Sequence, residues 1–362
     1  QLATEAYEGV LVRITNAVVQ NVNVNNSETY WQASDGTAFL VGIRAPYRYV
    51  WTNIARLTAI QGLAFTNFIS PRFDADFVGR PIFEYALRGL VMTPDGPRTN
   101  WTVHVRDDVI VAVTNTTVAG VTNLDTGGII YPGLMDVHNH PAYNSFPTLM
   151  FNNFPYGHRD EWGESDTEYD AWKSARTSLR SASGDSTNDG ITKYGEILEL
   201  IAGCIAIQGQ SNSDTEHTHP DVVLYNVEQF PARTWADIFP WTSTASERTN
   251  LLAQIAGGAV NASMIHLCEG TDTTARAQFA TWRDWGMLNE TVAIIHGAAL
   301  QAADFAQMAA VGAKLIWSPM SNMKLYAGTA NVKAAKQAGV TIAISPDWTP
   351  SGCYNILEEL GY

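Results

Sequence analysis

The segment YPGLMDVHNHPAY, residues 131–143, decides how the rest of the chain is interpreted. Its apolar run leads directly into His138 and His140, which are separated by one residue. Side chains at positions i and i+2 of a β-strand point to the same face, so both imidazoles can reach one metal ion. The pattern therefore predicts half of a metal site at the end of a strand.

Three later segments have the same arrangement of an apolar run that ends in a metal-ligand residue. They are ASMIHLCEG (262–270), TVAIIHGA (291–298) and TIAISPDWTPSG (341–352), with His266, Glu269, His296 and Asp347. In a barrel of parallel strands that alternate with helices, side chains at the carboxyl ends of the strands meet at one rim. Three histidines and one aspartate at that rim would bind a divalent ion and leave room for a water.

These residues resemble the amidohydrolase superfamily, whose first strand carries PG-[LF]-hydrophobic-D-x-H-x-H and whose eighth strand ends in an aspartate. The HxxE pair, WSPMSNMKLY (317–326) and SPDWTPSG (345–352) are similar to its mononuclear branch of cytosine, guanine and triazine deaminases and chlorohydrolases. The resemblance covers residues 80 to 362, approximately. It implies a (β/α)8 TIM barrel and a hydrolase of carbon–nitrogen bonds other than peptide bonds, which uses a metal-activated water for amide hydrolysis or deamination.

The resemblance also assigns roles to individual residues. It implies one divalent ion, Zn²⁺ before Fe²⁺, held by His138, His140, His266 and Asp347. It implies catalytic roles for Glu269, His296 and Asp347, with His296 either orienting the attacking water or approaching the metal. One ion is favoured over two because no lysine ends a fourth-strand segment before His266. That segment, TWADIFPW (234–241), also lacks the histidine that some ring deaminases use on their substrate. Its absence favours another carbon–nitrogen hydrolysis over nucleobase deamination.

Aromatic and polar residues near the strand ends are candidates for the substrate pocket. The aromatic loop FNNFPYGHRDEWG (151–163) follows the first strand and could form a lid or a substrate wall. WSPMSNMKLY lies at the end of the seventh strand, where a simple Pro319 turn is an equally good explanation. We predict substrate contacts for Tyr143, His158, Trp162, Ser318 and Asn322.

Several alternatives remain open at this point. Asp347 could cap the following helix, although a cap leaves the converging histidines unexplained. Cys268, between His266 and Glu269, is interpreted as a core residue, because adjacent strand residues face opposite sides. For the whole protein, the alternatives are a catalytically silent barrel that binds a ligand, and a hydrolytic dechlorinase of a heteroaromatic ring.

The β-rich amino-terminal region differs in pattern from the rest of the chain. Residues 1–75 alternate β-forming residues with Asn, Gly and Ser turns, which predicts an all-β module similar to OB-like modules. Residues 80–128 predict part of a flanking β-sandwich, the composite domain of imidazolonepropionase-like members. Residues 129–362 predict the hydrolase barrel, with helical patterns at 274–288, 300–312 and 330–340. The short stretch after Asp347 leads us to expect a chain truncated at its carboxyl end.

Composition restricts the partners. The 362 residues carry a formal net charge of −14 with only 22 Lys and Arg, which argues against a nucleic-acid partner and leaves a small-molecule substrate. No apolar run reaches the roughly 18 residues of a membrane span. Few lysines, together with many Asn, Thr and Trp, favour an exported bacterial protein, periplasmic or extracellular, over a cytoplasmic one. The oligomeric state is not predicted.

Overall fold

The computed structural model divides the chain into two compact units, Gln1–Pro132 and Gly133–Tyr362. In the described part of the chain, no helix has the length and apolar character needed to cross a bilayer. The structure describes residues 11–22, 28–32, 38–42, 56–64, 69–70, 77–78, 83–107, 109–149, 151, 153–182, 189–208, 224–226, 234–239 and 244–362.

The first unit begins with a six-stranded sheet. Its strands pair in a cycle, β1–β2–β3–β5–β4–β1, with β6 added beside β4. β3 and β5 run parallel, and the other pairs are antiparallel. The strands are β1 (Leu11–Val22), β2 (Glu28–Gln32), β3 (Ala38–Gly42), β4 (Arg56–Ala64), β5 (Ile69–Ser70) and β6 (Phe77–Val78).

This unit also contains a sheet of four strands, in the order β10-β7-β8-β9. β7 and β8 form a hairpin whose turn contains Gly96 at φ +101°, a conformation that favours glycine. β10 runs parallel to β7. The strands are β7 (Glu84–Thr93), β8 (Gly96–Arg106), β9 (Val109–Thr114) and β10 (Thr122–Ile130).

Among the residues that the structure describes, the second unit has eight strands, and every pairing among them is parallel. They form a three-stranded sheet, β11-β12-β13, and a five-stranded sheet, β14-β15-β16-β17-β18. The chain is α/β in this unit, as predicted. The strands are β11 (Leu134–Asp136), β12 (Cys204–Ile207), β13 (Tyr225–Asn226), β14 (Thr234–Ile238), β15 (Ala262–Leu267), β16 (Val292–His296), β17 (Lys314–Trp317) and β18 (Ile342–Ile344).

Helices connect most of these strands. Their amino ends are capped by local side chains: the Thr244 hydroxyl accepts the Glu247 N–H before α4, and Asp272 accepts the Ala275 N–H before α5. A short 3₁₀ helix spans Pro141–Tyr143. The α-helices are α1 (Arg159–Ser165), α2 (Thr167–Ala182), α3 (Asp189–Ile201), α4 (Ala245–Ala256), α5 (Thr273–Asp284), α6 (Ala302–Val311), α7 (Pro319–Tyr326), α8 (Val332–Ala338) and α9 (Ile356–Gly361).

The alternation of strand residues separates two hydrophobic layers. On β15, Ile265 and Leu267 pack with helix residues such as Trp282, whereas Met264 packs with Ile295 on the opposite side of the sheet. Burying each such side chain stabilises the fold by about 1.5–3 kcal/mol. Cys268 packs in the helix-side layer, which confirms that it is a core residue. His266 has the same parity as Met264, so the sheet itself directs this imidazole away from the helices.

Candidate metal centre and catalytic residues

The two histidines of the HxH pair follow β11 with their ring centroids 5.0 Å apart. His138 is buried, and its Nδ1 lies 3.2 Å from Gln208 Oε1. Because a carbonyl oxygen accepts and does not donate, this contact keeps the proton on Nδ1 and leaves the Nε2 lone pair for a metal. His140 is more accessible, with 27% of its side chain exposed.

His266 joins this pair from β15. Its ring centroid is 4.6 Å from that of His138 and 6.1 Å from that of His140. One nitrogen of each of the three rings lies within 4.8 Å of the others. The structure therefore brings together the three histidines that the sequence predicted as ligands.

Asp347 completes the cluster from the segment after β18. Its Oδ1 lies 3.0 Å from His138 Nε2 and 3.5 Å from His140 Nε2. Its Oδ2 accepts the hydroxyl of Ser321 at 2.6 Å, and Ser321 is in turn 2.7 Å from the Ser351 hydroxyl. One carboxylate oxygen is thus held by the protein while the other faces the imidazoles.

His296 reaches the cluster through an unusual backbone conformation. Strand parity alone would direct it with Val292 and Ile294 toward the helices. Its φ is +67°, and that of Asp347 is +70°, in the left-handed region that costs a residue other than glycine about 1–2 kcal/mol. Such conformations concentrate at functional sites. The His296 ring consequently lies 5.6 Å from that of His138, and its Nδ1 lies 2.9 Å from the side-chain amide oxygen of Asn322.

These residues fit a divalent ion of the zinc class, since imidazole nitrogens and a carboxylate oxygen are its usual ligands. Burial, and next the charge of His138, lower the pKa of His140 to about 3 and also lower the pKa of His266. Neutral imidazoles are the form that binds metal. Burial opposes the ionised form of Asp347, but the hydrogen bond and charge of His138 outweigh it and lower the pKa of this carboxyl. β14, the fourth parallel strand of the second unit, contains no lysine for a second ion.

Glu269 lies beside the cluster and both of its oxygens are engaged. Oε1 accepts the Tyr326 hydroxyl at 2.7 Å and lies 3.7 Å from His296 Nε2, while Oε2 pairs with Arg159 Nη1 at 3.0 Å. Burial would raise the pKa of Glu269, but the charges of His296 and Arg159 lower it. Sequence reasoning missed Arg159 and Tyr326. Both stand in segments that it singled out, but only as an aromatic loop and a pocket turn.

The expected substrate wall is an aromatic cluster. Tyr143 stacks on Trp172 at 5.6 Å with an angle of 4° between the rings, and Trp348 meets both Tyr143 and His140 edge-on. Trp162 packs against Trp348 but is buried, and its indole N–H donates to the Tyr326 hydroxyl at 2.9 Å. Aromatic surface therefore adjoins the most exposed histidine of the cluster.

The remaining predicted pocket residues have other partners. His158 Nδ1 lies 2.9 Å from Asp272 Oδ2, so this ring is tied to the cap of α5. The Asn322 amide bonds His296 and donates to Thr329 at 3.1 Å. Ser318 is fully buried, and its hydroxyl makes no hydrogen bond with any residue that the structure describes.

A buried polar network holds the backbone segment of the HxH pair in place. Asn139, between the two histidines, donates to Asp136 Oδ2 at 2.5 Å and to Glu199 Oε1 at 2.9 Å. Glu199 Oε2 accepts the Ile356 N–H at 3.2 Å. Burial, and next the charge of Asp136, raise the pKa of Glu199, so the two neighbouring carboxyl groups share at least one proton near neutral pH.

Comparisons with known proteins bear on this arrangement. No family profile matches the chain. In sequence, it is 26% identical over 307 residues to the 5-methylthioadenosine/S-adenosylhomocysteine deaminase of Halobacterium salinarum, across 75% of this chain and 70% of that protein.

Two solved structures share the fold. One is an adenosine deaminase from Xanthomonas campestris with bound zinc, at a TM-score of 0.52 and 18% identity over 74% of this chain and 70% of that one. The other is a guanine deaminase from C. acetobutylicum with bound guanine, at a TM-score of 0.55 and 12% identity over 77% and 78%.

The sequence relative, the shared fold and the site residues agree with the resemblance to the amidohydrolase superfamily. The order of its site residues along the sequence agrees with this resemblance, from the HxH pair after β11 to Asp347 after β18. The amidohydrolase is a hydrolase of carbon–nitrogen bonds other than peptide bonds, and neither a silent barrel nor a dechlorinase is favoured.

Proposed function

We propose that this amidohydrolase is a metal-dependent deaminase that removes an amino group from a heteroaromatic ring. The observation that carries the proposal is the convergence of His138, His140, His266 and Asp347, with Glu269 beside them. The sequence relative is a 5-methylthioadenosine/S-adenosylhomocysteine deaminase, which supports deamination over amide hydrolysis. The edge-on aromatic rings of Tyr143 and Trp348 next to His140 suit a planar ring.

The chain's own residues would orient water and substrate and move protons. A divalent ion, when bound, lowers the pKa of a coordinated water from about 15.7 to about 7. Asp347 accepts a proton from the attacking water through Oδ1, the oxygen that Ser321 leaves free. Glu269 carries protons to the ring nitrogen and to the leaving amine, so that water and amine become a ring carbonyl and ammonia. His296, held through Nδ1 by Asn322, directs Nε2 toward the reacting centre.

Release of ammonia tests the proposal. The zinc-loaded protein would be incubated with 5-methylthioadenosine, S-adenosylhomocysteine, adenosine, guanine, an aminotriazine and a set of simple amides. We expect ammonia from at least one aminoheterocycle, and loss of that activity after chelation and in the Asp347→Asn variant. Turnover of amides alone would contradict deamination and would identify the protein as an amide hydrolase. A protein that binds metal but turns over no compound would contradict the proposed function.

The proposed architecture is a closed barrel with two β-rich modules before it in the chain. We propose that the eight parallel strands of residues 129–362 close into a (β/α)8 barrel. Backbone bonds between the first and last of these segments support closure: the Asp347 N–H donates to the His138 carbonyl at 3.2 Å, and the His140 N–H to the Asp347 carbonyl at 3.0 Å. The pairing cycle of β1–β5 supports an OB-like barrel for residues 1–75. Residues 80–128 would form part of a flanking sandwich, and the resident ion would be Zn²⁺.

The partners and the compartment are also proposals. The acidic net charge of −14 supports a small-molecule substrate without a nucleic-acid partner. The low lysine content supports export to the periplasm or beyond the cell. Fractionation of the native host, followed by detection with an antibody, would test export. Recovery in the cytoplasmic fraction alone would contradict it.

A further inference from the structure

The carboxylate of Glu269 is held at both ends by side chains from different segments. Arg159, the first residue of α1, binds Oε2, and Tyr326, the last residue of α7, binds Oε1. Glu269 is 3% exposed, so water cannot replace either partner without a cost. Each carboxylate oxygen has two lone-pair directions, so one hydrogen bond from the protein does not saturate it.

Arg159 is itself fixed by the backbone around it. Its N–H donates to the Glu269 carbonyl at 3.2 Å, and the Thr271 N–H donates to the Gly157 carbonyl at 2.8 Å. Between these bonds, His158 and Gly270 form an antiparallel bridge. These backbone bonds join the segment around Arg159 directly to the segment that carries Glu269. The Arg159 guanidinium therefore starts from a fixed backbone position beside the Glu269 carboxylate.

Tyr326 is fixed by a second contact from α1. Trp162, three residues after Arg159, donates its indole N–H to the Tyr326 hydroxyl at 2.9 Å. The Arg159 guanidinium lies 5.3 Å from the Trp162 ring, in the range of a cation–π contact. The four side chains therefore form a closed circuit: Arg159, Glu269, Tyr326 and Trp162.

We propose that Arg159 is a positioning residue for the proton carrier, and that it acts on the reaction through Glu269. Resting on the proposed function, this inference adds a residue outside the expected HxH, HxxE, H and D set. Together with Tyr326, Arg159 keeps the Glu269 carboxylate beside His296, at 3.7 Å from Nε2. Displacing a catalytic group by about 1 Å can cost about a hundredfold in rate, so loss of one holder should slow turnover.

A double-mutant cycle tests this inference, because a residue that acts through Glu269 has nothing left to position once Glu269 is disabled. The proteins are wild type, Arg159→Gln, Glu269→Gln and the double variant, each loaded with zinc. Arg283→Gln in both backgrounds is the matched control, since Arg283 pairs with Asp284 at the surface. Metal content and thermal unfolding are recorded for every protein, and Arg159→Lys tests whether charge alone suffices.

We expect Arg159→Gln to lower kcat by about 10- to 100-fold, with KM changed less than about threefold, on whichever probe substrate wild type turns over. In the Glu269→Gln background, it should lower kcat by less than about twofold, and the Arg283 control should change neither. An equal loss in both backgrounds, or a loss confined to KM, would overturn the inference in favour of substrate binding by Arg159.

The outcome is separable from that of the proposed function. If wild type binds zinc but turns over no probe, the proposed function fails, and the same cycle is then measured on unfolding. Non-additive shifts in the unfolding midpoint would support the coupling of Arg159 to Glu269. Additive shifts, or a folded Arg159→Gln variant with wild-type midpoint, would overturn the inference.

Discussion

Asp347 Oδ1 lies 3.0 Å from His138 Nε2, although 209 positions separate the two residues in the sequence. A carboxylate held against buried imidazoles is stable when a cation lies between them or when an imidazole is protonated. Burial alone would lower the pKa of His138, but the hydrogen bond and charge of Asp347 raise it. A divalent ion would replace that proton and satisfy both partners.

Replacement of a ligand should remove the metal. We expect His266→Ala to lower zinc affinity at least about tenfold and to abolish activity, because it deletes a ligand of a buried site. His104→Ala is the matched control, since His104 contacts Glu84 and is no part of the cluster. Competition with a chromogenic chelator measures the affinity. Equal affinities in the two variants would remove His266 from the site.

Replacement of the proton carrier should separate binding from chemistry. Glu269→Gln keeps the shape and the hydrogen bond from Tyr326 but cannot carry a proton. We expect one zinc per chain as in wild type, with activity at least about a hundredfold lower, the usual scale of a general acid–base group. Plasma emission spectrometry and an ammonia assay provide the two readouts. Wild-type turnover by this variant would mean that protons travel through Asp347 or His296.

The buried Glu199 should make stability depend on pH. Its pKa is raised from the ordinary 4.5, so the folded state retains a proton that the unfolded state releases above that value. Stability should therefore fall as pH rises from about 4.5, by up to about 1.4 kcal/mol per pH unit. Glu199→Gln mimics the protonated form and should remove this slope, so that the variant exceeds wild type at pH 8. Denaturant unfolding between pH 5 and 8 measures the difference, and parallel profiles would contradict it.

The sequence predicted those site residues that are marked by their immediate neighbours in the chain. The HxH pair, the HxxE pair and Asp347 each stand at the end of an apolar run, and strand geometry then implies a common rim. The helix patterns at 274–288, 300–312 and 330–340 correspond to α5, α6 and α8, each shorter than its pattern. Asp272 and Asn331 cap the first turns of α5 and α8, and at the start of α6 the Asp304 carboxylate accepts the Gln301 N–H.

The contacts that the sequence did not predict join loops that are far apart along the chain. Nothing near Arg159 in the sequence indicates that it pairs with Glu269, 110 residues later. The same applies to the hydrogen bond between Asn322 and His296, which the sequence did not predict. The positive φ of His296 has no sequence signal either, because strand parity predicts the opposite direction for its side chain.

The most direct test of the account is anomalous diffraction from crystals grown with zinc, recorded at energies on both sides of the zinc absorption edge. We predict one strong peak per chain among His138, His140, His266 and Asp347, with Glu269 outside the coordination shell. No peak within this cluster, or two peaks of equal height bridged by a modified lysine, would contradict it.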